Sequence, residues 1–385
     1  MDTFRAWAEI DLAALKYNYE YGKALAGGRS VMPVIKGDAH GHGAVVFGKA
    51  MEQWGAAAFA VACLSEAITL RDAGITKPIL ILGWTDPSCA PELVRYDLTQ
   101  SAFDLNYAKA LNDALTEDAG CSVSAGGPCR LKVHAKIDTG MTRTGLNAQQ
   151  DPGAAADGVL AVSRLPHLEL TGIFTHYAVA DVPEKEAFTA WQLSNFKAVL
   201  AALTDKGFDL SKITVHASNS AVIMYHPESH FDLVRMGVMM YGMYPSDDYK
   251  NHGELRPVLT LKARVAQVKD IAEGACVSYG CTFTAPRPMR IAVVTAGYAD
   301  SYPRALSGKG AWAMIAGNRC PQIGRICMDM CMFDVTGTEV KAGDEVILYG
   351  AGGMSHEEIA HMAGSINCEH TCLLTERVRK VYLNA

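Results

Sequence analysis

Lys36 stands at the end of the apolar run Val31–Ile35, inside the segment Ser30–Gly43, SVMPVIKGDAHGHG. A short β-branched run of this kind reads as a fully buried strand. A lysine at its end has its stem in an apolar wall and its amine near a mouth. Desolvation there disfavours the ammonium form and frees the amine to attack a carbonyl. Taken alone, such a lysine more often snorkels to solvent. Polar groups at other strand ends shift the balance: Lys136 and Asp138 in AKIDTGMTRTG, His176 in IFTHYAVAD, His216 with Asn219 and Ser220 in VHASNSA, and Arg235 with Gly237 in DLVRMGV. Ser220 offers a hydroxyl, and the Gly237–Val238 peptide offers N–H donors where a glycine permits close approach. These are phosphate-binding groups. An imine-forming lysine opposite a phosphate cradle implies pyridoxal 5'-phosphate (PLP).

These groups converge only if one scaffold gathers the strand ends. Candidate strands begin near Val31, Ala58, Pro78, Leu98, Leu131, Leu168, Ile213 and Phe231, with amphipathic segments such as Ser65–Ala73, Asn106–Leu115 and Lys185–Leu203 between them. Eight strand–helix units predict a parallel (β/α)8 barrel, with reactive groups at the C-terminal strand ends and phosphate held after the last two strands. Ala119–Pro128 reads as an exposed insertion loop. Beyond Pro245 the pattern changes to LTLKARVAQVKDI, MRIAVVTAG, RCPQIGRICM and DEVILYG, which alternate like antiparallel strands. A helix over Ser355–Ala363 and a strand near Val378–Tyr382 follow. The fold class is therefore α/β. A TIM-like barrel over 11–248 precedes a mainly β unit over 249–385, and the opening strand, 1–10, returns to the second unit.

Composition narrows the function classes. At 385 residues with 49% hydrophobic and 20% charged, the chain supports two sizeable cores. The net charge of −6, without a basic run, argues against a nucleic-acid surface. Eleven cysteines, an odd number with no CxxC pair, do not form a disulfide framework. No stretch reaches the roughly 18 apolar residues of a membrane span, and the start, MDTFRAWAEIDL, has no apolar leader. A soluble cytoplasmic chain is expected. In HEEIAH the two histidines are five apart, whereas the zinc pattern needs four. No metal is expected.

The ordered motifs AEIDLAAL, VIKGDAHGHG, KIDTGMTRTG, THYAVAD, HASNSA, VRMGVMMYGMYPS, VSYG, GYADSYPR, GRICMDM and SINCEH span the chain. In these it resembles the alanine racemase family of fold-type III PLP enzymes. The resemblance implies that Lys36 carries the cofactor and acts as one catalytic base. Tyr279 of VSYG would be the second base, reaching the site from the other subunit of a homodimer. His176 would stack on the cofactor ring, Arg235 would face its nitrogen, and Ser220, Gly237 and Val238 would hold the phosphate, with Asn219 beside them. Arg143 and the Met328 backbone would bind the substrate carboxylate, and Tyr298 and Asp329 would line the partner-side pocket. Lys136 matches a position often carbamylated in the family, where it orients Arg143.

Racemisation removes a proton from one face of Cα and returns one to the other, so it needs two bases. Arg235 has no acceptor and can only donate to the ring nitrogen, which leaves that nitrogen unprotonated and the ring a weaker electron sink. Simple reprotonation is then favoured over side reactions. Two positions depart from the family. His40 and Cys368 stand where tyrosines are usual. His40 still offers a ring N–H for the cofactor, whereas Cys368 is smaller and a weak donor, leaving space beside the substrate side chain. Serine is therefore expected as a substrate beside alanine, with a serine-preferring racemase as the alternative. A fold-type III decarboxylase or a non-enzymatic PLP-binding protein is the more distant reading.

Overall fold

The computed structural model describes residues 4–117, 130–249 and 253–384. The loop expected over Ala119–Pro128 lies outside the described residues. After β1 (Ala6–Asp11) and α1 (Leu12–Leu25) come eight parallel strands: β2 (Ser30–Pro33), β3 (Phe59–Val61), β4 (Ile79–Ile81), β5 (Thr99–Ala102), β6 (Leu131–Asp138), β7 (Leu168–Phe174), β8 (Thr214–His216) and β9 (Leu233–Met236). Each pairs with its neighbour, β9 pairs with β2, and a bridge between Val34 and Ala60 joins β2 to β3. The barrel is nearly closed. Its strands are short because both faces are buried: every residue of β3, β4, β5 and β9 is buried. Helices such as α2 (Ala44–Gln53), α3 (Leu64–Asp72), α4 (Ala90–Arg95) and α5 (Leu105–Glu117) cover the outside.

The second unit is antiparallel. Strands β10 (Leu259–Ile271), β11 (Met289–Val294), β12 (Trp312–Ile315), β13 (Asn318–Ile323), β14 (Cys331–Asp334) and β15 (Glu345–Tyr349) pair in the order 11-14-13-12-15-10, and β10 pairs back to β11. The long β10 serves both sides of this ring because its pairing changes partner along its length, with shifts in register between Leu261 and Lys262 and between Val265 and Gln267. As expected from AWAEIDL, β1 joins this sheet, antiparallel to β10 and parallel to β16 (Arg379–Leu383). Asp11 then ends the strand and caps α1, its carboxylate accepting from the Ala13 and Ala14 amides. No helix among the described residues is long and apolar enough to cross a membrane.

Candidate active site

At the C-terminal ends of the barrel strands lies a cavity of about 720 Å³. It gathers Lys36, His40, Lys136, Arg143, His176, Asn219, Ser220, Arg235, Gly237, Val238 and Cys368. Four of these are lysines or arginines, and Asp181 is the one acidic residue among the described lining residues. Burial pushes the Asp181 carboxyl above its usual range, which weakens it as a counter-charge. Such a cavity is built for anions.

Lys36 lies three residues beyond the end of β2 and lines the cavity. The side chain is exposed in the cavity mouth, because the strand ends at Pro33 and the chain turns outward. Gly37, Asp38, Ala39 and His40 all adopt left-handed backbone angles, with φ of 61°, 51°, 55° and 52°. A left-handed turn of non-glycine residues is costly, on the order of 1–2 kcal/mol per residue. Tertiary contacts hold it. Glu66 accepts from the Gly37 amide at 2.6 Å and Asp38 accepts from the Ala44 amide at 2.7 Å, while Lys380 pairs with the Asp38 carboxylate. Gly41 is required where the turn closes, since a Cβ there would sit 1.9 Å from the Thr371 carbonyl oxygen.

Arg235, at the end of β9, is 3% exposed and has no carboxylate partner among its described contacts. Its guanidinium donates instead to the Thr175 and Ala217 carbonyls at 2.8 and 2.9 Å and to His216 Nδ1 at 2.8 Å. It also lies 3.2 Å from His176 Nδ1. Burial pulls its pKa down to about 9, so it stays cationic at neutral pH. A buried cation satisfied only by neutral groups leaves its charge available to a ligand.

The residues present fit a phosphorylated, ring-bearing cofactor. Ser220 Oγ accepts from the Gly237 amide at 3.0 Å, and a Cβ on Gly237 would stand 3.6 Å from that oxygen, inside the cradle. Asn219 caps the following turn through the Val222 amide at 3.0 Å. His40 Nδ1 is buried without a hydrogen-bond partner, an orphaned polar atom beside this cradle. Its ring packs on Tyr241 at 4.6 Å, and burial with the Lys36 charge holds it neutral, down to about 4. Cys368 lines the same wall, and burial raises its thiol.

Across the cavity, Lys136 Nζ donates to Thr144 Oγ1 at 2.7 Å. Burial, then the Arg143 and Arg235 charges, pull the Lys136 amine down to about 8. The loop carrying Arg143 is built by Asp138, which accepts from the Gly140 and Thr142 amides at 3.0 Å each. Gly145 lets that loop return against β6, since a Cβ there would lie 2.6 Å from the Asp138 nitrogen at φ +135°.

Four expected site residues do not line the cavity of their own chain. Tyr279 is 68% exposed, Met328 51% and Tyr298 43%, and Asp329 is also solvent-facing. Tyr279 sits on the turn of a small hairpin pairing Cys276 with Thr284, and Ser278 fixes the turn by donating to the Arg325 carbonyl at 2.7 Å. The Met328–Asp329 segment is held by a fully buried carboxylate that sequence reasoning missed. Asp300 binds Arg5 and Arg377 at 2.7 and 2.8 Å, and the same arginines reach the Asp329 carbonyl and carboxylate at 2.8 and 2.9 Å. Glu66 was missed as well; the one signal for it is an acid in the first turn of a helix that follows a barrel strand.

A parallel barrel thus gathers a lysine, a buried arginine and a serine–glycine cradle at one cationic cavity, where barrel enzymes carry their active sites. Residues 10–245 match the family model of the alanine racemase N-terminal domain, and 258–382 match the C-terminal domain. An alanine racemase of Desulforamulus reducens is 41% identical over 380 residues, 98% of each chain. The solved alanine racemase of Clostridium difficile 630 superposes with a TM-score of 0.89 at 36% identity, covering 100% of this chain and 97% of that one. Its complex with cycloserine gives 0.87 at 35%, covering 100% and 96%. The chain belongs to the alanine racemase family.

Proposed function

We propose that this chain interconverts L- and D-alanine with PLP, as a homodimer using two bases. The observation that carries the reading is complementary: the cavity holds one lysine base and an anion cradle, while Tyr279 projects 68% exposed outside it. Exposed Met328, Met330 and Tyr298 accompany Tyr279 in the second unit and supply apolar surface for a second copy. Bound there, PLP supplies the electron sink that lets the Cα proton leave. Lys36 would hold it covalently, Ser220, Gly237, Val238 and His40 would hold its phosphate, and Arg235 would donate to its ring nitrogen. Arg143 would clamp the substrate carboxylate. The Lys36 amine then moves the Cα proton on one face, and Tyr279 of the partner subunit moves it on the other. Tyr279→Phe should cut racemisation by about 10²-fold or more while exchange of the Cα proton of one enantiomer with solvent persists. Unimpaired racemisation in that variant would refute the two-base reading, and a monomer by sedimentation would refute the shared site.

Two finer readings rest on single residues. Cys368 leaves room beside the substrate side chain, so serine is accepted with alanine. Lys136 is carbamylated: its neutral amine adds CO2, forming an N–C bond and releasing a proton, and the new carboxylate faces Arg143. At an amine pKa of about 8, roughly a tenth is neutral at pH 7. A carbamate resonance should appear in protein equilibrated with 13C-bicarbonate and vanish in Lys136→Ala; its absence from the wild type would sink the idea.

A further inference from the structure

A column of polar side chains crosses the barrel beneath Arg235. Arg235 Nη1 lies 2.8 Å from His216 Nδ1, and His216 Nε2 lies 2.9 Å from His134 Nδ1. His216 is fully buried at the end of β8, stacked on Phe174 at 4.9 Å with the planes 4° apart. His134 sits midway along β6, and its ring fills the space over Gly172, where a Cβ would come within 2.6 Å of it. The far edge of His134 reaches a second cavity of about 430 Å³ at the opposite mouth of the barrel.

Elementary donor counting fixes every proton in this column. A guanidinium has donors only, so His216 Nδ1 must accept. A neutral His216 then carries its hydrogen on Nε2 and donates it to His134 Nδ1. That leaves the His134 hydrogen on Nε2, facing the lower cavity. A second proton on either ring breaks one of the two bonds, and on His216 Nδ1 it would point an N–H at an N–H. Burial and the Arg235 charge act in the same direction, holding both rings neutral.

We propose that His134 is a positioning residue for Arg235: it locks the His216 tautomer and so fixes the guanidinium at the floor of the upper cavity from the opposite side of the barrel. His134 does not itself line the upper cavity, and its ring hydrogen-bonds to His216. The proposal rests on the racemase reading for its kinetic consequence but not for its structural one. If Arg235 tunes the reaction by its placement, loosening the column lowers kcat more than it alters binding.

The test is 15N–1H correlation of the full-length protein labelled at histidine, alongside alanine racemisation. Wild-type His216 and His134 should both show a protonated Nε2 and a bare Nδ1. His134→Leu should mix the two His216 tautomers and lower kcat about tenfold, with KM for alanine within about twofold. His134→Gln, whose carbonyl can accept from His216 Nε2, should restore the single tautomer and most of kcat. A wild-type His216 protonated on Nδ1 overturns the proposal, as does a His134→Leu variant with unchanged tautomer and kcat. If His134→Leu does not fold, the wild-type tautomers and His134→Gln still decide. Absence of racemisation by the wild type would defeat the functional reading alone, because the tautomers are read without it.

Discussion

Glu66 holds the Gly37 amide at 2.6 Å and, with its other oxygen, the Ala62 amide at 2.7 Å. One carboxylate thus ties the residue after Lys36 to the end of the neighbouring strand. Charge-assisted bonds of this kind contribute about 1.5–3 kcal/mol each. Glu66→Ala should therefore lower the urea midpoint, and Glu66→Gln, which keeps one acceptor, should fall between the two. Cofactor affinity should drop in the same order, since the left-handed turn that aims Lys36 loses its anchor. Equal midpoints for all three proteins would contradict this account.

Acid should weaken the fold over a defined window. Burial holds His40 and His134 down to about 4 and His42 to about 3, against an unfolded value near 6.5. Above pH ~6.5 neither state takes up a proton at these sites, and their contribution is fully present. As the pH falls, the unfolded chain binds protons first, so stability drops toward pH ~4 and, for His42, toward ~3. Each pH unit inside the window costs about 1.4 kcal/mol per histidine. Urea midpoints of the cofactor-free protein at pH 7.5, 6 and 5 should fall in sequence. A flat series would show that these rings are not buried neutral.

Substrate range should follow Cys368. Restoring bulk and a hydroxyl with Cys368→Tyr should reduce the serine-to-alanine ratio of kcat/KM by about tenfold, the scale on which small pocket changes discriminate. Comparing both enantiomers of both amino acids in wild type and variant checks it. No serine turnover in the wild type, or no loss in the variant, would remove Cys368 from the specificity argument.

Most of the barrel was legible because parallel strands buried on both faces are short apolar runs, and the starts near Val31, Ala58, Pro78 and Leu131 meet observed strands. Motif spacing likewise brought Ser220, Arg235 and Gly237 to one cavity. The glycines and histidines after Lys36 signal a turn, but not its left-handed course. Ala39 carries no signal for positive φ, and contacts to Glu66 and Lys380 hold the turn. The Arg5–Asp300–Arg377 cluster was invisible for a similar reason: its members lie at the two ends of the chain and a loop between, and only the folded sheet brings them together.

The seat of β1 sets the order of events during synthesis. Trp7 pairs with Lys262 on one side and with Arg379 on the other. Strand β1 therefore stays unpaired until the chain has been made past Lys262, and its second edge waits for Arg379. Such distant pairing slows folding and leaves an apolar edge open in the meantime. A barrel expressed alone would carry that strand with no sheet to enter, and edge-to-edge association is the expected fate of an uncovered strand.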